Sequence, residues 1–474
     1  MAQTHLIRLH STLTRKKDIF RPIRKGQVGL YTCGPTVYNY VHIGNLRTYI
    51  FEDVLRRTLE YFGYEVKHVM NITDVGHLTS DADEGEDKLE KGAQREGKSV
   101  WDITKFYTRA FINDLESLNI EKAHKLIQAT SEIKEQIKLI RLLFANGYAY
   151  ETKQAIYFDV NKFKGYTKLS RQKLSQKLVG VRKEVVVDPE KRHPADFVLW
   201  FKLVGRFKNH TMRWPSPWGA GFPGWHIECS AISSKYLGQP FDIHAGGIDH
   251  INVHHTNEIA QSEGAHGKPL ARVWMHGEFL LVNDSKMAKS DEGFLTLELL
   301  NNKGFNPIAY RYLVLTAHYR SKLVFTWESL GAANNSLGRL YGFVKTLKEG
   351  NKARKGINLA KYRRSFQGAI FDDLNIPKAL ALVWDIIHAY NKDPEKYSAD
   401  ELLKLFYGFD GVLGLRLKEV KAERVPPTIK KLLKERETYR KNKQWAESDK
   451  VRTEINRLDW TIEDTPEGPK LRRS

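Results

Sequence analysis

Val28-Gly29-Leu30-Tyr31-Thr32-Cys33-Gly34-Pro35-Thr36, followed after a short loop by His42-Ile43-Gly44-Asn45, is the stretch on which the fold turns. Val28 to Thr32 is short and apolar enough for a buried strand, and Gly34-Pro35 ends it. From Ile43 the apolar residues Leu46, Ile50, Val54, Leu55, Leu59 and Phe62 recur at helical spacing, and Gly63 marks the helix end. Glu65 to Ile72 reads as a second strand. Strand, loop, helix and strand at this spacing make a βαβ unit, which sets both strands parallel in one sheet. The expected fold is therefore α/β, a doubly wound parallel sheet of the Rossmann type with ligands at the carboxyl ends of its strands.

Working outward, Asp81 to Lys98 is dense in Asp, Glu, Lys and Gly without periodicity and reads as a solvated loop. Helices are expected around Asp102 to Leu118 and Ser131 to Asn146, and strands over Ala155 to Val160 and Ala195 to Lys202. The long irregular stretch between those two strands reads as an inserted subdomain. Helix Trp225 to Leu237, strand Phe241 to Ala245, helix Asn252 to Glu263 and strand Arg272 to His276 restore the α/β rhythm. Beyond about Asn306 amphipathic helices take over, at Pro307 to Tyr319, Trp327 to Leu347, Ile376 to Tyr390 and Ala399 to Phe406, and Pro426-Pro427 marks a further border. The resulting plan is a sheet in two halves, 1–125 and 221–305, split by an insert over 126–220. A helical bundle over 306–423 and a small basic domain over 424–474 follow.

The length of 474 residues agrees with this plan, since it corresponds to about three domains. A chain that is 41% hydrophobic and 28% charged is neither a disordered polyelectrolyte nor a fibre. No apolar run approaches the roughly 18 residues of a membrane span, and the opening residues lack the pattern of a secretory signal, so the cytosol is the expected compartment. Cys33 and Cys229 are the only cysteines, which excludes a disulfide framework and leaves catalysis, a metal or an ordinary core role. The 76 Lys and Arg against 56 Asp and Glu give a net charge of +20 and point to an anionic partner, nucleic acid first, unless the excess reflects a lysine-rich proteome. Residues 424–474 alone hold 14 basic and 9 acidic side chains, a net of +5.

Three constellations carry chemistry. His42, Gly44 and Asn45 stand where the first strand gives way to the first helix. Backbone donors and the positive end of the helix favour a phosphate there, and His42 can donate to one of its oxygens. Lys286-Met287-Ala288-Lys289-Ser290 follows an expected strand in a Ser, Asp and Gly-rich loop, where two lysines can offset charge developing on a leaving pyrophosphate. Cys229, His254 and Glu258 form the third. His254 and Glu258, four apart, share one helix face, and Cys33 can join them at the end of the first strand. Thiolate, imidazole and carboxylate together suit zinc. His255 has a spacing of three to Glu258, which is also sterically allowed, so the residues alone leave the choice of histidine open.

Together these segments resemble the cysteinyl-tRNA synthetases, a family of class I aminoacyl-tRNA synthetases. The resemblance runs through Leu30 to Tyr38, Asn71-Ile72-Thr73-Asp74-Val75, Trp214 to Gly219 and Pro223 to Ser230. It continues through Asp242 to Gly247, His254 to Ser262 and Glu463 to Gly468. It implies one zinc ion per chain, held by Cys33, Cys229, His254 and Glu258, that recognises the sulfur of the substrate L-cysteine. It implies that Cys33, Thr73, Trp225 and His244 lie about the amino acid, and that His42, Gly44, Asn45, Asp249 and Lys289 contact ATP, which brings magnesium. His42, Asn45, Lys286 and Lys289 would serve the activation step. Asp372-Asp373-Leu374-Asn375-Ile376-Pro377 resembles a segment of the helical domain that binds the anticodon stem, and the basic end resembles the anticodon domain. The implied partners are ATP, L-cysteine and tRNA(Cys), without a membrane, acting on a monomer. Two positions depart from the commonest pattern, Asn45 for a second histidine and Ala288 for a serine; Asn45 keeps a donor but carries no charge. Rival readings are a cysteine ligase that acylates an amino sugar, against which the basic end argues, and a catalytically silent RNA-binding protein.

Overall fold

The computed structural model describes residues 6–75, 78–80, 84–172, 188–282, 295–349, 356–421, 426–465 and 468–473. Its centre is a five-stranded sheet in the order Ala271–Gly277, Phe241–Gly247, Gln27–Thr32, Glu65–Ile72 and Lys125–Gln128, with every neighbouring pair parallel. Numbered along the chain this is 5-4-1-2-3, the doubly wound arrangement. The order reverses between strands Gln27–Thr32 and Phe241–Gly247, and a crevice for ligands opens at their carboxyl ends. Helix Ile43–Phe62 makes the first crossover, buries Leu46, Ile50, Val54, Leu55 and Leu59 against the sheet, and ends at Gly63, whose φ of 105° suits the left-handed cap.

The insert carries a four-stranded antiparallel sheet of Gly221–Pro223, Phe197–Lys202, Ala155–Phe158 and Ala149–Glu151. Hydrogen bonding places 126–128 with the main sheet and Gly221–Pro223 with the insert, three residues across the expected border in each case. Strand Lys125–Gln128 escapes a reading by hydrophobicity because its burial is only partial. The expected loop over Asp81 to Lys98 is also corrected. Glu84–Asp87 is a strand and Lys88–Glu96 a helix, capped by the Asp87 carboxylate on the amides of Leu89 and Glu90, with Leu89, Gly92 and Ala93 buried. These three small or apolar residues stand among many charges, so the helix is invisible in composition. The helix expected from Asn252 starts at His254 after a short 3-10 turn, Ile248–Ile251.

Helices Pro307–Leu315, Trp327–Glu349, Ala360–Ile370, Ile376–Lys392 and Ala399–Leu413 form the bundle, and Pro427–Lys441, Trp445–Arg457 and the hairpin Trp460–Thr465 with Gly468–Arg473 follow. The bundle is locked to the sheet by a buried polar hub. The guanidinium of Arg311 donates to Leu413 O (2.7 Å), Leu118 O (3.1 Å) and the Asp53 carboxylate (2.6 Å). Asp53 also binds Arg57 (2.8 Å), so helix Ile43–Phe62 and the bundle share one network. At the sheet's other edge the N-terminal hairpin, Arg8–Ser11 with Lys16–Ile19, lies against Trp274 through Thr12 N to Trp274 O (2.7 Å). The same hairpin is held by Asp373, which accepts from His10 N (2.8 Å), Tyr319 (2.7 Å) and Arg320 (2.8 Å).

Candidate metal and nucleotide site

Five elements deliver side chains to the crevice. Cys33 follows strand Gln27–Thr32, Thr73 follows strand Glu65–Ile72, and His244 lies within strand Phe241–Gly247. Trp225 and Cys229 are one turn apart on helix Trp225–Leu237, and His254, His255 and Glu258 share the first turns of helix His254–His266. Cys33, Cys229, His244, His254, His255 and Glu258 are all buried. The Cys33 thiol donates to Cys229 Sγ at 4.0 Å and lies 3.8 Å from Glu258 Oε1, while His254 Nε2 is 3.0 Å from the same oxygen. Four ligands placed tetrahedrally at zinc bond lengths stand about 3.3–3.8 Å apart, so this set fits the ion within a few tenths of an ångström.

A second set overlaps the first. Cys33, His244, His255 and Glu258 also present ligand atoms within 4.8 Å of one another, as do Cys33, Cys229, His254 and Glu258. The structure thus sets both histidines of the His254-His255 pair beside Glu258. His255 Nε2 is 3.3 Å from Cys33 Sγ and 3.8 Å from Glu258 Oε1; His244 Nε2 is 2.9 Å from Glu258 Oε2.

Electrostatics favour a cation here. Burial pushes the Glu258 carboxyl up, but His244 and His254 overcome it and hold the group well below the usual carboxylate range. Burial likewise opposes charge on His254, yet Glu258 and Cys229 raise its pKa to about 10. Cys229 is brought down to about 6 against burial by the Cys33 thiol and by His254, and burial keeps Cys33 itself high. Burial, followed by repulsion from neighbouring imidazoles, leaves His255 well below the ordinary histidine value; His276 is depressed by the same causes. Cysteine sulfurs, imidazoles and a carboxylate thus meet in a buried pocket, the donor set that zinc satisfies.

The remaining expected residues fall around this cluster. Trp225 stacks on the His254 ring, centroids 4.4 Å apart, and His244 stacks on Trp274 at 4.5 Å. Thr73 Oγ1 donates to Glu228 Oε2 (2.8 Å) and accepts from Asn71 (3.0 Å). Glu228, fully buried with its other oxygen lacking a hydrogen bond, is a residue that sequence reasoning passed over inside its own motif.

On the opposite side of the crevice, His42 caps helix Ile43–Phe62, its Nδ1 accepting from Asn45 N at 3.2 Å. A Cβ at Gly44 would sit 2.8 Å from the His42 ring, so the glycine is what lets the ring fold over the helix end. Asp249, in the turn after strand Phe241–Gly247, is exposed and interacts electrostatically with His42 across the sheet end. Lys286 and Lys289 lie outside the described residues. The chain flanking them is anchored at the helix end by Ile43 N to Leu295 O (2.8 Å), and Arg47 donates to the carbonyls of Phe279 and Ser321.

Comparison with known proteins gives three family matches: the tRNA synthetases class I (C) catalytic domain over residues 19–335, the DALR domain over 365–418 and the cysteinyl-tRNA ligase anticodon binding domain over 422–471. The chain is similar to a protein named cysteine–tRNA ligase 1 from Burkholderia lata, 49% identical over 466 residues, 98% of this chain and 96% of that one. A cysteine–tRNA ligase from Treponema denticola is 44% identical over 489 residues, 97% and 98% of the two chains. Among solved structures, methionyl-tRNA synthetase of Mycobacterium tuberculosis in complex with methionyl-adenylate shares the fold, with a TM-score of 0.56 at 14% identity over 82% of this chain and 88% of that one.

Proposed function

This chain belongs to the class I cysteinyl-tRNA synthetases and is a cysteine–tRNA ligase, and on that premise we propose that zinc held by Cys33, Cys229, His254 and Glu258 selects the amino acid. The observation that carries this is the convergence of those four ligand atoms, from three separate elements, within 4.8 Å in a buried pocket at the sheet's switch point. When bound, zinc supplies a soft Lewis acid that prefers the substrate's thiolate to a hydroxyl. The chain's own residues do the rest. Trp225, His244 and Thr73 wall the amino acid beside the metal. The amide end of helix Ile43–Phe62, with His42, Gly44 and Asn45, receives the phosphates of ATP, which arrives with magnesium, and Asp249 faces the nucleotide.

In the first step a carboxylate oxygen of cysteine attacks the α-phosphorus, and the bond to pyrophosphate breaks. Lys286 and Lys289 offset the charge that leaves, while His42 and Asn45 steady the pentavalent centre. In the second, a hydroxyl of the tRNA's terminal ribose attacks the acyl carbon and AMP departs. Residues 306–423 and the basic 424–474 hold tRNA(Cys), and the catalytic halves 1–125 and 221–305 act around the insert 126–220 in a monomer. No described helix is long and apolar enough to cross a membrane.

Cysteine-dependent exchange of pyrophosphate into ATP, followed by charging of purified tRNA(Cys), tests the reading. Both activities are expected. Exchange without charging would leave the amino-sugar ligase in its place, and neither would leave the silent RNA-binding protein.

A further inference from the structure

Two overlapping ligand sets share Cys33 and Glu258, and a chain of hydrogen bonds decides between them. It starts on the N-terminal hairpin. Thr12 Oγ1 is 2.8 Å from His276 Nδ1, His276 Nε2 is 2.8 Å from His255 Nδ1, and His255 Nε2 is 3.3 Å from Cys33 Sγ. All four residues are buried, at 5% exposure or less. A contact between two imidazole nitrogens needs one hydrogen and one lone pair, so the proton on each ring follows from the one before it.

The hydroxyl of Thr12 sets the first. His276 Nδ1 is the partner the structure gives that hydroxyl, and a buried O–H that accepted from His276 would leave its own hydrogen without an acceptor. Thr12 therefore donates to His276 Nδ1. His276 then carries its hydrogen on Nε2 and gives it to His255 Nδ1, which leaves His255 with its hydrogen on Nε2, pointing at the sulfur of Cys33. A nitrogen that carries a hydrogen cannot ligate a metal.

We propose that Thr12 and His276 are positioning residues that fix His255 as an N–H donor to the Cys33 thiolate, which excludes His255 from the metal and commits the ion to Cys229 and His254. The proposal rests on the zinc reading above. It assigns His255 a task that its place beside a ligand hides: an N–H···S hydrogen bond draws charge from the Cys33 thiolate and so strengthens the ion's hold on the incoming substrate sulfur. It also ties the hairpin to the selector. The hairpin that carries Thr12 is held by Asp373 of the helical bundle through His10 N, so the relay runs from the bundle to the metal's edge.

The test uses full-length zinc enzyme labelled with 15N-histidine, with His255→Gln and His276→Gln variants to assign the signals. Two-bond proton–nitrogen correlations are expected to place the hydrogen of both rings on Nε2, with His255 free of metal. A hydrogen on Nδ1 of either ring, or zinc on His255 Nε2, overturns the relay. Thr12→Val is expected to keep about one zinc per chain but to lose the fixed tautomers and to bind both zinc and cysteine about 10- to 100-fold more weakly, the range seen for groups that orient metal ligands. Thr12→Ser restores both. A folded Thr12→Val enzyme with wild-type tautomers and affinities contradicts the proposal. Protein that holds no zinc at all fails the selector reading instead, and the tautomers then still report on the relay.

Discussion

Gly44 shows how much one missing methyl decides. Alanine there, in the first turn of the helix, would restrict the unfolded chain by up to about 0.5–1 kcal/mol, yet its Cβ would stand 2.8 Å from the His42 ring and turn it off the helix end, losing a cap worth about 1 kcal/mol. Gly44→Ala should therefore melt close to wild type while its KM for ATP rises about tenfold, the worth of one hydrogen bond to a charged group. Thermal melting and pyrophosphate exchange check the pair. At Cys229 the expected outcome is the reverse. Cys229→Ser should lose zinc and cysteine affinity together, by more than the roughly 100-fold of an outer-sphere change, with ATP binding kept, because the phosphate end is built from other residues; calorimetric titration with each ligand tests this. Both cysteines and the His254/Glu258 pair were legible in sequence, since residue type and spacing of four carry metal chemistry. The choice between His254 and His255 was not. It depends on Thr12 and His276, which lie 243 and 21 residues from His255 in the chain and meet it only through sheet order.

Elements were read well where periodicity was strong and poorly where charge hid it. Helix Trp225–Leu237, flanked by Gly224 and Gly238, and strand Glu65–Ile72 stand at their expected bounds. Helix Lys88–Glu96 was missed because its buried face is three small or apolar residues in a run of charges, and its anchor is distant: His210 of the insert is 3.2 Å from the Asp87 cap. That anchor is sensitive to pH. Burial opposes charge on His210, but Asp87 and Glu90 prevail and raise its pKa above 6.5. A group raised in the folded state stabilises fully below its unfolded value and ceases to as pH climbs through the folded one. Amides of Lys88–Glu96 should hence exchange more slowly near pH 6 than near pH 8, corrected for intrinsic rates, and His210→Gln should remove the difference. The lysine loop makes a separate prediction: Lys289→Ala should slow adenylate formation by about 10²-fold or more at saturating ATP while cysteine affinity holds, and single-turnover rates decide it.

At the scale of the whole molecule, the parallel sheet and its division by an insert followed from alternating strand and helix signals, but the joints between domains did not. Arg311 looks like one more helix residue in sequence, yet it is fully buried and ties Asp53 of the first crossover helix to the last bundle helix. Arg311→Ala leaves Asp53 in the interior with one partner fewer and should cost about 3–5 kcal/mol in denaturant unfolding. Removing residues 424–474 should spare pyrophosphate exchange and weaken charging, since the described residues of the sheet and its crevice come from other segments; equal loss of both in a folded truncation would reject that division of labour. The central claim is that a metal, rather than the shape of the pocket, separates cysteine from serine. A pocket that measures size alone discriminates by about 10- to 200-fold, whereas zinc exploits the thiolate itself. The most direct measurement is zinc content of the purified enzyme paired with pyrophosphate exchange on cysteine and on serine, before and after chelation. The account predicts about one zinc per chain, and exchange on cysteine that falls with the metal and returns with it. A folded, metal-free enzyme that still strongly prefers cysteine would contradict it.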